Sequence, residues 1–100
     1  MTAYAVEWTA RARARVWEFG DYVTEQSSQE EAEALMERIY EAGDALAWSP
    51  QRYSPAPEWG EGVRRLPVLG RRILFEVDEV RRVVRILSVM GGAENPRDIR

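Results

Sequence analysis

The 100-residue sequence contains no cysteine and no histidine, and each absence removes a class of chemistry. Without cysteine the chain has no disulfide, no thiolate nucleophile and no thiolate metal site, which fits a cytoplasmic protein. Without histidine it has no imidazole general base, no Ser-His triad and no zinc site of the usual composition. We expect no metal and no cofactor, and we assign no catalytic residue.

Lysine is also missing, so all fourteen basic residues are arginines. Residues 1–50 carry four Arg against ten Asp or Glu, whereas residues 51–100 carry ten Arg against seven. A GC-rich genome produces the preference for arginine without any function. The uneven distribution nevertheless predicts an acidic layer and a basic layer in the folded chain, and such layers influence the choice of partners.

Long apolar runs and a signal-peptide pattern are absent, so we expect a chain that neither spans nor crosses a membrane. The length predicts a single domain over residues 1–100. An apolar fraction of 45% and four Trp suffice for a globular core. A chain this short buries only a modest core, and a partner should add to its stability.

Periodicity in the first half predicts a short strand followed by two helices. The strand lies in "TAYAVEWT", and the last residue of this stretch, Thr9, has the character of an N-cap. A second helix begins at Ser28, which has capping-box spacing to Glu31, and it stops at Ser49–Pro50. The buried stripes are predicted as Ala12, Val16, Phe19 and Val23 in the first helix and Ala32, Leu35, Ile39, Ala42 and Leu46 in the second.

The second half predicts a loop and three strands. The loop at residues 50–61 contains three of the five prolines. Strands follow near 62–67, 71–78 and 82–90, with turns at "VLGR" and "DEVR". The order β-α-α-β-β-β indicates an α+β fold, an antiparallel sheet with a helical hairpin packed on one face.

Arginine pairs lie within these predicted strands. Alternation in "RRILFEV" directs Ile73 and Phe75 toward the helices and Arg72 toward the opposite face. Arg72 and Arg85 would then lie near the centre of a shallow groove and form a basic surface for an anionic partner. Alternatively, the arginines prevent edge pairing and form ordinary cross-strand pairs with residues such as Glu76.

Five ordered segments resemble a known superfamily and together span nearly the whole chain. They are "YAVEWTARA", "ALAWSPQRY", "GVRRLPV", "RRILFEV" and "VVRILSV". The set resembles the ParE/RelE superfamily of bacterial type II toxin–antitoxin toxins, and its strands are more similar to the ParE branch. The resemblance implies a cytoplasmic toxin neutralised by a ParD-like antitoxin that folds on binding, with operator DNA contacted only through the antitoxin.

The resemblance also implies an activity. Members of the ParE branch poison DNA gyrase, and members of the RelE branch cleave mRNA on the ribosome. Arg72 matches a position that the nucleases use, but Gly91, Gly92 and Glu94 stand where basic residues are usual, and no Tyr follows Tyr53. For cleavage of RNA the candidate bases that remain are the carboxylates of Glu76, Asp78 and Glu94. The implied function is thus a non-catalytic gyrase inhibitor of the kind associated with plasmid stabilization. The alternatives are a RelE-like endoribonuclease and a non-toxic antitoxin-binding relative.

The partner surface is expected to be an apolar groove between the helical hairpin and the sheet. The groove is predicted to contain Trp17, Met36, Tyr40 and Leu74, with Arg64, Arg65, Arg72 and Arg85 as charged contacts. An amphipathic, acidic antitoxin segment should fold into it. The chain alone should be less stable, because the groove is then exposed. Trp59, in the proline loop, is a further candidate for stacking on bases.

Overall fold

The computed structural model describes residues 3–99 and confirms the α+β class and the predicted order of elements. The sheet has four strands, and two helices pack on it. The elements are β1 (Ala5–Trp8), α1 (Ala10–Gln26), α2 (Gln29–Asp44), β2 (Arg64–Val68), β3 (Arg71–Asp78) and β4 (Val83–Gly91). Within residues 3–99, no helix has the length and hydrophobicity needed to cross a membrane.

Both predicted helix starts are confirmed by their capping contacts. The Thr9 hydroxyl accepts a hydrogen bond from the Ala12 amide at 3.1 Å, and the Ser28 hydroxyl accepts one from the Glu31 amide at 3.1 Å. Each contact pairs an amide that the first helical turn leaves without an intrahelical acceptor. The Thr9 hydroxyl also donates to the carbonyl oxygen of Ile86 at 2.9 Å, which ties the start of α1 to β4.

The second helix ends earlier than predicted. It stops at Asp44, and the chain tightens into a 3-10 turn at Ala45–Ala47 that keeps Leu46 fully buried. Ser49 has a φ of 52°, so the residue before Pro50 is outside the right-handed helical region. The predicted stop at Ser49–Pro50 thus lies just after the 3-10 turn. The α-helix itself ends several residues earlier, at Asp44.

The strand order in the sheet is β1-β4-β3-β2. Strands β2, β3 and β4 form the predicted antiparallel meander, and Leu69 and Gly70, with φ of 48° and 76°, form the tight turn between β2 and β3. The expectation of a fully antiparallel sheet is wrong for β1, which runs parallel to β4. A parallel neighbour requires a long crossover, and the helices together with β2 and β3 supply it.

The main core lies between the helices and one face of the sheet. Its centre comprises the fully buried side chains of Val16, Ile39, Leu46, Ile73, Phe75, Val84, Ile86 and Val89. Both helices contribute residues from their predicted stripes. Phe19 and Leu35 are half-buried at its margin.

A second core lies on the opposite face of the sheet, which was expected to be partly wet. Its members are Ala56, Trp59, Val63, Leu74, Leu87, Met90 and Ile99. A bulge helps to form it: Leu74 lies opposite Ser88 and Phe75 opposite Ile86, so Leu87 has no opposite residue. Because the bulge interrupts the alternation of β4, Leu87 and Met90 join the same cluster although they are three residues apart.

Residues 92–99, the tail, fold back and complete this second core. Ile99 is 3% exposed, and its amide donates to the carbonyl oxygen of Trp59 at 3.3 Å. Two arginines of α1 hold the tail: Arg11 donates to the carbonyl oxygen of Ile99 at 2.9 Å, and Arg15 pairs with Glu94. The tail and the loop that contains Trp59 together cover the middle of the second face.

Candidate interaction surfaces

The first candidate surface is a pocket formed by the two helices alone, which we name the hairpin pocket. Its volume is about 320 Å³. It is lined by Trp17, Gly20, Asp21, Thr24, Gln29, Ala32, Glu33 and Met36. The structure thus brings together Trp17 and Met36, two of the residues predicted to contact a partner.

Small residues at the helix contact create this pocket. Gly20 and Ala32 are buried, and a Cβ added at Gly20 would lie 2.5 Å from the sulfur of Met36. The helices therefore approach closely at Gly20, while the large side chain of Trp17 remains 58% exposed. An exposed Trp beside an apolar depression is typical of a surface that binds another protein.

The hairpin pocket has an acidic rim. Asp21 and Glu33 are exposed, and Gln29 donates a hydrogen bond to Glu33 at 3.2 Å. Neither carboxylate forms an ion pair with any residue from 3 to 99. The helical hairpin, residues 10–44, carries nine Asp or Glu and four Arg. The potential at this surface is therefore negative.

The second candidate surface lies at the turn between β2 and β3, and we name it the arginine pocket. It is lined by Arg65, Pro67, Val68, Leu69, Gly70, Arg71, Arg72 and Gly92. Its three arginines are all half-buried, and they are its only ionisable lining residues. The arginine pocket is consequently positive, in contrast to the hairpin pocket.

Each of the three guanidinium groups has a neighbouring contact. Arg65 forms a long ion pair with Glu58 of the proline loop, with 3.7 Å between Nη1 and Oε2. Arg72 donates to the carbonyl oxygen of Gly91 at 3.1 Å and lies over the ring of Trp59, at 5.4 Å from its centroid. Arg71 donates to the carbonyl oxygen of the turn residue Leu69 at 2.9 Å. The Nε atoms of Arg71 and Arg72 are buried and have no hydrogen-bond partner among residues 3–99.

Two other predicted arginines have different surroundings. Arg85 is exposed on β4 with Glu76 of β3 and Glu7 of β1 in register on either side, which favours the cross-strand interpretation. It lies about four residues along the sheet from Arg72, roughly 13 Å. The buried second core fills the space between them, so the two do not share a central groove. Arg64 donates to the carbonyl oxygen of Tyr53 at 2.7 Å and so holds the proline loop.

The eight predicted residues therefore do not form one groove. Leu74 is completely buried in the second core and presents no surface to a partner. Tyr40 packs against Trp8, with ring centroids 4.7 Å apart, and lies outside the hairpin pocket. Trp59 is also completely buried, so the idea that it stacks on bases does not hold for this structure. The binding roles of the remaining residues stay predictions.

Sequence reasoning missed a contact region beside the arginine pocket. The ring of Phe19 lies between two guanidinium groups, with the carbon of Arg15 at 4.9 Å and that of Arg71 at 4.7 Å from its centroid. Tyr22, which is 60% exposed, lines the same depression together with Glu94. The helical stripe placed Phe19 toward the core, and Arg15 lies one turn before it on the same helix. No local pattern, however, indicates that the distant strand β3 brings Arg71 to the same ring.

The sequence profile described as the ParE toxin of type II toxin–antitoxin system, parDE, matches residues 6–96. The chain therefore belongs to the ParE toxin family. The match includes both helices, all four strands except the first residue of β1, and part of the tail. A comparison with curated proteins finds no significant match.

Solved structures show the same fold at low sequence identity. The chromosomal ParDE system from P. aeruginosa has a TM-score of 0.77 at 21% identity, over 89% of this chain and 96% of that one. The RelBE2 toxin–antitoxin complex from Mycobacterium tuberculosis has a TM-score of 0.70 at 21% identity, over 94% and 97%. The archaeal RelE–RelB complex from Pyrococcus horikoshii has a TM-score of 0.61 at 16% identity, over 94% and 99%. The fold is thus that of the ParE/RelE superfamily.

Proposed function

We propose that this chain is a cytoplasmic toxin that an antitoxin neutralises and that acts by binding DNA gyrase, without catalysis. The observation that carries the proposal is the match to the ParE toxin family over residues 6–96. The similar structures of ParDE and RelBE complexes support an antitoxin as the partner. A ParD-like antitoxin is the identity that the family match favours.

The hairpin pocket supports a protein partner. It combines an apolar depression with the exposed ring of Trp17, and burial of such a ring gives a large part of the binding free energy of many complexes. A partner helix that lays apolar side chains along the two helices would cover it. Binding to the folded state would also raise the stability of the chain.

The composition of the arginine pocket supports action without catalysis. RNA cleavage through the 2′-hydroxyl requires a positioned acid and base. The ionisable groups that line this pocket are three guanidinium groups, and a guanidinium group donates hydrogen bonds but accepts none. The residues that line it thus supply positive charge but no group for proton transfer.

The proposal is tested by expressing the chain alone in a bacterium and by assaying the purified chain with gyrase. Filamentation with DNA damage, together with inhibition of supercoiling in vitro, is the expected result. Coexpression of the protein encoded by the adjacent reading frame should restore growth. Normal growth with unimpaired supercoiling would overturn the proposal and favour a non-toxic relative.

Ribosome-dependent mRNA cleavage is a second candidate, favoured by the convergence of Arg65, Arg71 and Arg72. Fixed positive charges stabilise the charge that develops on a scissile phosphate. Primer extension on ribosome-bound messages tests this activity directly. The control is Arg81→Ala, which changes an exposed arginine outside the arginine pocket. Discrete cuts would establish cleavage and contradict the non-catalytic proposal if they disappear in Arg65→Ala and persist in this control.

A further inference from the structure

We propose that the segment of the antitoxin that covers the hairpin pocket is basic, with apolar anchors on Trp17 and Met36 and a Lys or Arg side chain between Asp21 and Glu33. This inference rests on the proposed function and specifies the chemistry of the partner at one surface. It reverses the sign expected from the sequence, which predicted an acidic segment for a single groove rich in arginine.

The separation of the two pockets is the first step. Among residues 3–99, the lining of the hairpin pocket includes two acidic residues and no basic one, whereas the lining of the arginine pocket includes three arginines and no acidic one. The apolar anchors and the arginine contacts that the sequence assigned to one groove thus lie on different surfaces. An acidic segment would be attracted to the arginine pocket and repelled by the hairpin pocket.

The second step is the cost of covering the carboxylates. Asp21 and Glu33 are exposed and have no cationic partner within residues 3–99. A partner that packs on Trp17 removes water from both carboxylates. A desolvated charge without a partner is strongly unfavourable, so a segment that supplies a cation at this point is preferred over an apolar or acidic one.

The third step concerns the surroundings of the pocket. Over the whole helical hairpin, residues 10–44, nine acidic residues outnumber four arginines, so the negative potential extends beyond Asp21 and Glu33. Such a field accelerates the approach of a basic segment and makes its association rate fall as salt is added. The apolar anchors then determine how slowly the complex dissociates.

The direct test measures the affinity of the chain for the protein encoded by the adjacent reading frame. In the double variant Asp21→Asn/Glu33→Gln, the shapes of both side chains are kept and both charges are removed. We expect binding about three- to tenfold weaker than wild type, with a smaller dependence on salt. The matched control Glu25→Gln/Glu30→Gln removes two exposed charges of the hairpin outside the pocket and should change affinity less than about twofold.

A peptide pair tests the sign of the charge independently. Two amphipathic peptides share the same leucine anchors at helical spacing and carry either arginines or glutamates beside them. We expect the arginine peptide to bind the chain at least about fivefold more tightly, and the double variant to abolish that preference. Equal binding of both peptides, or preference for the glutamate peptide, would overturn the inference.

The outcomes separate this inference from the proposed function. If the antitoxin binds the wild type and the double variant equally well, the neutralised toxin stands and the basic segment is wrong. If Trp17→Ala binds as tightly as wild type while its melting temperature is unchanged, the hairpin pocket is not the contact surface. If the wild type does not bind the antitoxin at all, both the proposed function and this inference fail.

Discussion

The two faces of the sheet are covered by different kinds of structure. On one face, α1 and α2 place regular stripes that include Val16 and Ile39 against the strands. On the other face, an irregular loop and the tail cover the strands with Trp59 and Ile99. All four side chains are at most 3% exposed, so the irregular cover buries its central residues as completely as the helical one.

This difference shows which parts of a core can be recognised in a sequence. A helix that covers a sheet repeats apolar residues with a period near 3.6. An irregular segment covers a sheet with isolated large residues, here one Trp in a proline loop and one Ile near the end of the chain. Nothing in their immediate neighbours distinguishes such residues from exposed ones.

The largest expected effect tests whether the second face is a true core. Trp59→Ala should lower the free energy of unfolding by about 3–5 kcal/mol, because it removes a completely buried indole from beneath Arg72 and beside Ile99. Urea denaturation followed by circular dichroism measures this loss. A domain of this size has a stability of about 5–15 kcal/mol, so the change should be obvious.

Two controls calibrate this result. Trp48→Ala changes a Trp that is 57% exposed and should cost less than about 0.5 kcal/mol. Ile39→Ala removes a buried side chain from the helical face and should cost about 2–5 kcal/mol. A loss below about 1 kcal/mol for Trp59→Ala would mean that the second face adds little to stability.

The next effect concerns the end of the chain. Ile99→Ala should cost about 1–3 kcal/mol, less than a central core residue because segments near a terminus open more easily. The exchange rate of the Ile99 amide, which donates to Trp59, should rise in the same variant. Asn95→Ala changes an exposed tail residue and serves as the control. Equal effects of the two substitutions would show that Ile99 does not fasten the tail.

Most of the regular structure could be predicted from local patterns. Thr9 and Ser28 are N-caps as predicted, and the turn at Leu69 and Gly70 is where its sequence indicates. The parallel pairing of β1 could not be derived, because it depends on where a long crossover brings the chain and not on residues near β1. The bulge at Leu87 was equally invisible, since apolar residues occur at both odd and even positions of β4 and no strict alternation is present for a bulge to interrupt.

The candidate surfaces could be predicted only in part. Trp17 and Met36 do line the same pocket, because the two helices of the hairpin lie side by side. The arginines were expected in the same groove, but the second core separates Arg72 from Arg85, and Arg64 instead holds the proline loop. Alternation along a strand predicts the face on which a side chain lies. It does not predict what covers that face.

A smaller effect tests the connection between the helical face and the tail. Arg15 donates to the carbonyl oxygen of Val89 at 2.8 Å and pairs with Glu94, whose side chain is 29% exposed. Arg15→Gln should cost about 1–2 kcal/mol, because it leaves the carbonyl oxygen and the carboxylate less well satisfied. Thermal unfolding at low and high salt measures it. Arg97 forms a longer ion pair with Glu94, at 3.9 Å, and its side chain is 53% exposed. Arg97→Gln should therefore have little effect at either salt concentration.

The smallest expected effect is at the contact between the helices. Gly20→Ala adds a methyl group 2.5 Å from the flexible side chain of Met36, which can move aside at a cost of about 1 kcal/mol. The substitution also raises helix propensity by roughly the same amount, so unfolding should change by less than about 1 kcal/mol. Gly43→Ala is the contrasting case, since its methyl group would lie 2.2 Å from the rigid ring of Trp8. Chemical denaturation should therefore show a clearly larger loss for Gly43→Ala, and the reverse order would mean that the helices cannot adjust around Met36.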